Sequence, residues 1–125
     1  MFWPVINVVK TGKTPEYPDI QPRSFSLSIE KVFQSAVKTV QSLPRWRVVN
    51  TDTAQREIRA EATTRIFRFI DDITIQLQEN PKGTVVQVRS ASRIGKGDLG
   101  QNARNIRLFF RTLGEVAENE INFNK

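Results

Sequence analysis

Phe69-Ile-Asp-Asp-Ile-Thr-Ile-Gln-Leu-Gln78, followed by Glu79-Asn80-Pro-Lys-Gly83 and then Thr84-Val-Val-Gln-Val-Arg-Ser-Ala-Ser-Arg-Ile94, is the stretch on which the fold turns. Both flanking runs alternate apolar with polar residues, the period of a strand with one buried face. Asn80-Pro-Lys-Gly83 between them reads as a hairpin turn, with glycine supplying the backbone freedom that a tight reversal needs. In the first run Phe69, Ile73, Ile75 and Leu77 share a face with Asp71, while Ile70, Asp72, Thr74, Gln76 and Gln78 lie opposite. In the second, Val86, Val88 and Ile94 share a face with Ser90 and Ser92, and Gln87, Arg89 and Arg93 lie opposite. The apolar face of this hairpin therefore carries one carboxyl group and two hydroxyls.

Upstream, residues 45–52 and 56–66 have the same strand character, separated by Asp52-Thr-Ala-Gln55, and Phe67-Arg68 separates the second of them from the hairpin. Ile58, Ala60 and Ala62 oppose Glu57, Arg59 and Glu61, so the inner face is small at Ala60, Ala62, Ser90 and Ser92. Small residues there either let a helix come close or leave a hollow. Ile29, Val32, Phe33, Ala36, Val37, Val40 and Leu43 recur at helical steps, with Ser28 placed to cap the start and Pro44 ending the run. Residues 24–28 alternate as a short strand ahead of it. Downstream, Asp98 as N-cap with Gln101 three residues later reads as a capping box, and Leu99, Ala103, Ile106, Phe110, Leu113 and Ala117 form the predicted buried stripe of a last helix. Arg104, Arg107 and Arg111 line one flank. Glu115, Glu118 and Glu120 oppose the helix dipole and predict fraying over 121–125.

The order β-α-β-β-β-β-α predicts an α+β fold: a single antiparallel sheet with two helices on one face. That order resembles the TATA-binding-protein-like, or helix-grip, arrangement. Prolines 4, 15, 18 and 22 exclude a regular helix or central strand from residues 1–22, which read as an extended arm ahead of one domain over 23–120.

The chain has 125 residues, 38% hydrophobic and 26% charged, the size and composition of one globular domain. With no cysteine and no histidine it excludes disulfides, thiolate and imidazole metal sites, and triads with an imidazole base, and no cofactor or metal is expected. Lys+Arg 19 against Asp+Glu 13 gives a net charge of +6, which favours anionic partners. The apolar start Met1-Phe-Trp-Pro-Val-Ile-Asn-Val-Val-Lys10 is too short for a bilayer, which needs about 20 residues, and lacks the pattern of an export signal. The expected location is cytoplasmic or peripheral at a membrane, with Phe2 and Trp3 as candidate membrane contacts.

Gly95-Lys-Gly-Asp-Leu-Gly100 matches a dinucleotide-binding spacing, but no second parallel strand can follow it and Asp98 would repel a pyrophosphate. Gly95, Gly97 and Gly100 read instead as a structural turn into the capped helix. Asp71-Asp72 resembles a metal or acid/base pair, yet adjacent strand residues point to opposite faces. Asp72 reads as a solvated surface charge. Asp71 needs a cation or several hydrogen bonds, with Ser90, Ser92, Asn102 or a helix arginine as candidates. Basic residues gather at Arg65 and Arg68 and again over 89–111, where six face the single acid Asp98 for a net +5. Aromatic platforms for single-stranded nucleic acid are missing from the predicted outer face, so nucleic acid is disfavoured.

Phe67-Arg-Phe-Ile-Asp-Asp72 and Arg89-Ser-Ala-Ser-Arg-Ile-Gly-Lys-Gly-Asp-Leu-Gly-Gln-Asn-Ala-Arg-Asn-Ile-Arg107 together resemble the signature of the family called domain of unknown function 1499, from about Phe25 to Leu113. The part Gly97-Asp-Leu-Gly-Gln-Asn-Ala-Arg-Asn-Ile-Arg107 resembles the form found in its cyanobacterial and plastid branch. The resemblance implies that Asp71, Asp72, Arg89, Ser90, Ser92, Arg93, Gly95, Asp98, Gly100, Asn102 and Arg104 belong together, and it implies no particular reaction. Many members carry an N-terminal membrane or export segment, which is not evident here.

The function expected from these readings is a non-enzymatic binding or accessory module. In it Arg89, Arg93, Arg104 and Arg107, arranged around Ser90 and Ser92 with Asp71 and Asn102, hold an anionic group of a lipid or an acidic protein. The competing expectations are an enzyme using Asp71 as base beside Arg93 or Arg104, and a structural partner that assembles through its arm.

Overall fold

The computed structural model describes residues 7–94 and 100–123, with side chains through Asn119. Its elements are β1 (Val8–Lys10), β2 (Arg23–Phe25), α1 (Ile29–Ser42), β3 (Trp46–Asp52), β4 (Glu57–Thr63), β5 (Ile70–Asn80), β6 (Gly83–Ser92) and α2 (Gln101–Phe123). One antiparallel sheet runs β1-β6-β5-β4-β3, and the β2-to-α2 portion has the predicted order. The long β5–β6 hairpin is its spine, with Asp71 opposite Ser92 at one end and Asn80 opposite Gly83 at the other.

The arm contributes more than packing. Its proline-free part forms β1, which pairs with Arg89–Ala91, while β2 pairs with Thr84–Val86 further along the same β6 edge. Thr11 bridges the two, its N–H donating to Val88 O and its hydroxyl accepting from Val88 N. Gly12, at φ +71°, then turns the chain, and its N–H donates to the carbonyl of the buried Ile20. An edge strand that would otherwise offer open N–H and C=O groups to other chains is thereby covered.

Ser28 caps α1 as expected, accepting from Lys31 N at 3.4 Å. Ile29, Val32, Ala36 and Val40 of α1 and Ala103, Ile106, Phe109 and Leu113 of α2 close over Ile58, Ile73, Ile75, Leu77, Val86 and Val88 of the sheet. The predicted α2 stripe is corrected at one position: Phe109 is fully buried and stacks on Trp46 at 6.2 Å, while Phe110 is half-buried beside it. Trp46 is the register partner of Ala62, so aromatic bulk takes the room that the small inner residue leaves.

The start of α2 also differs from expectation. Gly100 has φ +80° and stands outside the right-handed helix, so Gln101 does not take the third helical position, and the cap expected at Asp98 lies outside the described residues. Gln101 is instead the first helical residue. Helical structure continues to Phe123, into the stretch expected to fray. Gly95, Lys96, Gly97, Asp98 and Leu99 lie outside the described residues, as do Phe2, Trp3, Val5 and Ile6.

The β4–β5 connection is longer than the predicted Phe67-Arg68. Ile66 and Phe69, read as strand residues, belong to a loop over 64–69, closed by Thr64 N donating to Phe69 O and Phe69 N donating to Thr64 Oγ1, both at 2.8 Å.

Candidate functional site

Strand alternation on β5 and β6 sends Asp71, Ser90 and Ser92 towards α2, and the helical repeat brings Asn102 and Asn105, three residues apart, to meet them. Ser90 Oγ donates to Asn102 Oδ1 at 2.6 Å. Asn102 Nδ2 donates to Ser92 Oγ at 2.8 Å and to the backbone carbonyl of Asn7 at 3.0 Å, an oxygen that also accepts from Ser92 N. Asn105 Nδ2 donates to Asp71 Oδ2 at 2.8 Å and to Ser90 Oγ at 3.1 Å. Gln101 Nε2 then donates to Asn105 Oδ1, and Arg104 Nη2 donates to Gln101 Oε1. The network ties the first and last described elements to the sheet's spine.

Asp71 is 2% exposed, Ser90 and Asn102 are fully buried, and Asn105 is 4% exposed. Among the described residues no buried side-chain nitrogen or oxygen lacks a hydrogen-bond partner. A sealed set of donors and acceptors already satisfied by one another offers no open valence to a substrate. Asn105 was absent from the sequence expectation although it holds Asp71 directly; its signal was the Asn102/Asn105 spacing on the helix face that carries Ala103 and Ile106.

The arginines do not gather around the serines. Arg89 and Arg93 project from the opposite face of β6, as the alternation of the strand requires. Arg93 bonds to both oxygens of Asp72 and to Glu61, and Glu61 also accepts from Arg47 at 2.9 Å. Asp72 is a surface charge as expected, its side chain 47% exposed, and it also pairs with Arg93; the predicted base-and-arginine pair of Asp71 with Arg93 is not formed. Arg107 reaches the arm, donating to Asp19 at 2.9 and 3.0 Å and lying 5.5 Å from the Tyr17 ring centroid. Arg104 stays with Gln101 at the start of α2.

The Arg93 hydrogen bond, aided by Arg47, holds the Glu61 carboxyl below its ordinary value of 4.5, and the Arg107 hydrogen bond holds Asp19 below 3.8. The hydrogen bonds to Asp72 and then Glu61 push the Arg93 guanidinium up, and the hydrogen bond to Asp19 does the same for Arg107. A carboxyl depressed in the folded state contributes stability above its unfolded pKa and loses that contribution as pH falls through the folded value. The difference in denaturation midpoint between the wild type and Glu61→Gln should therefore be present at pH 7 and shrink at pH 3. A difference that stays constant with pH would show that the pair with Arg93 contributes nothing through charge.

Among the described residues no three acidic, histidine or cysteine side chains are grouped to hold a metal. No helix of the described part is long and apolar enough to cross a membrane.

Fold and network together define an antiparallel α+β domain whose last helix is fastened to the sheet by buried amides. Residues 5–113 match the family described as protein of unknown function (DUF1499), and the chain belongs to that family. Among solved structures it is similar to protein CV1439 from Chromobacterium violaceum, with a TM-score of 0.51 and 11% identity over 90% of this chain and 99% of that one, a likeness of fold alone. No curated protein matches.

Proposed function

We propose that the chain is a non-enzymatic binding or accessory module that docks on an anionic surface. The observation that carries this reading is how the polar side chains are used. Asp71, Ser90, Asn102 and Asn105 are sealed in a network, whereas Arg65, Arg68 and Arg89 are exposed and have no carboxylate partner among the described residues. Arg47, Arg56, Arg93 and Arg107, by contrast, are paired. Lys10 is the register partner of Arg89 on the outer face, so two cations stand side by side there. Such charges gain most from a surface that brings many anions at once, because each exposed pair alone is worth little. The form of the Gly97–Arg107 stretch supports the cyanobacterial and plastid branch of the family, and with it a photosynthetic membrane system as the setting.

The triple variant Arg65→Glu/Arg68→Glu/Arg89→Glu should lose retention on a heparin column and on vesicles of phosphatidylglycerol and phosphatidylcholine. The double variant Asp19→Asn/Arg107→Gln, which removes a matched pair without changing the net charge, should elute within about 20% of the wild-type salt concentration, since matched surface charges contribute little to long-range attraction. Wild-type retention of the triple variant on both supports would refute the reading.

A further inference from the structure

The β4–β5 loop presents Arg65-Ile-Phe-Arg-Phe69 at one end of the sheet. Ile66 is 80% exposed, Phe67 71% and Phe69 42%, a concentration of large apolar side chains in water that a solitary surface residue would not show. The Phe67 and Phe69 rings stack at 5.5 Å, forming one apolar knob. Arg65 and Arg68 flank it, and from Ala62 to Ile70 there is no acidic residue. The loop is already shaped: both Thr64–Phe69 hydrogen bonds close its base, and Arg68 is held at φ +58°. Ile94, 51% exposed, follows Arg93, whose N–H donates to the Ile70 carbonyl, so another apolar side chain belongs to the same end.

Two classes of surface could cover such a tip. A stable protein interface buries about 800 Å² on each partner, over roughly 20 to 30 residues, far more than a four-residue hairpin tip offers. A bilayer interface asks for less. It accepts a few aromatic and aliphatic side chains at the level of the headgroups and acyl boundary while flanking guanidinium groups remain with the phosphates. At the base of the loop the two Thr64–Phe69 hydrogen bonds pair the Thr64 N–H and both backbone groups of Phe69.

We infer that the hairpin tip Ile66-Phe67-Arg68-Phe69 inserts into the interfacial layer of an anionic lipid bilayer, with Arg65 and Arg68 on the phosphates. This rests on the anionic-surface reading and names the surface.

Phe67→Trp gives a reporter at the tip, read against the wild-type spectrum. On vesicles of phosphatidylglycerol and phosphatidylcholine its emission should shift to the blue and be quenched by lipids brominated on the acyl chains, with neither change on phosphatidylcholine alone. Ile66→Ser/Phe67→Ser should lower vesicle partitioning at least tenfold and leave elution from heparin unchanged; both side chains are exposed, so the fold is kept. Vesicle binding without a blue shift, or undiminished binding of the serine variant, overturns insertion while the anionic-surface reading stands. Retention on heparin but not on vesicles also overturns it, in favour of an acidic macromolecule. Failure on both supports overturns the underlying reading as well.

Discussion

Replacing Asn105 with alanine should lower the free energy of unfolding by about 3 kcal/mol, because three losses fall on one buried point. Asp71 loses the amide that donates to Oδ2, Ser90 loses a hydrogen bond, and the truncated side chain leaves a gap under α2. A buried polar group deprived of its partner costs about 1–3 kcal/mol, more when charged, whereas an exposed one recovers its loss from water. At 2% exposure Asp71 has no such recourse. For a domain of this size the change corresponds to a fall in melting temperature of roughly 10–20 °C. A double-mutant cycle with Asp71→Asn should show coupling of about 1–2 kcal/mol, since the two side chains are in contact. Loss of less than about 1 kcal/mol for Asn105→Ala would mean that the network is not what fastens α2 to the hairpin.

How much of this was legible beforehand depends on which physical signal each residue carries. Alternation places Asp71, Ser90 and Ser92 on the inner face correctly, because a strand has only two sides and apolar neighbours mark which one is buried. Asn102 was reachable as a candidate from its position in the motif. The helical periodicity of apolar residues does not reveal Asn105, because a buried asparagine is silent in it. The same periodicity does not separate Phe109 from Phe110, because adjacent aromatic residues at the margin of a stripe cannot be ranked by spacing.

The arginine cluster shows a different limit. Net charge over 89–111 is a property of the linear chain, whereas binding depends on where the charges stand. Arg93 leaves the cluster for Asp72 and Glu61 on the outer face, and Arg107 leaves it for Asp19, a residue 88 positions away in the sequence. The hairpin tip failed for the opposite reason. Ile66 and Phe69 are apolar, so they read as strand, and hydropathy has no means of marking an apolar residue that is placed in water on purpose.

Gly83→Ala should cost about 4 kcal/mol, a sum of backbone strain and a steric clash that the fold cannot relieve locally. Gly83 closes the β5–β6 hairpin at φ +141°, a region that side-chain-bearing residues rarely enter. A Cβ built there would stand 2.1 Å from the Phe25 carbonyl oxygen and 3.1 Å from Leu27 N. Both are backbone atoms of the segment that carries β2 along the edge of β6, so neither can swing aside. Relief requires β2 to separate from Thr84–Val86 and break the bond from Thr84 Oγ1 to Leu27 O. Hydrogen exchange should then quicken over Arg23–Phe25 and Thr84–Val86, while Ile58–Ala62 in the sheet's interior keeps its protection. Gly114→Ala provides the contrast within the same chain. Its Cβ would meet Arg23 Nη2 at 2.8 Å, but that atom ends a flexible side chain, and alanine is favoured over glycine inside a helix by about 1 kcal/mol. Gly114→Ala should therefore be neutral or slightly stabilising, at the loss of the Arg23 hydrogen bond to Phe110 O. Equal effects from the two substitutions would refute the view that close backbone approach, rather than glycine content, makes Gly83 indispensable to the hairpin.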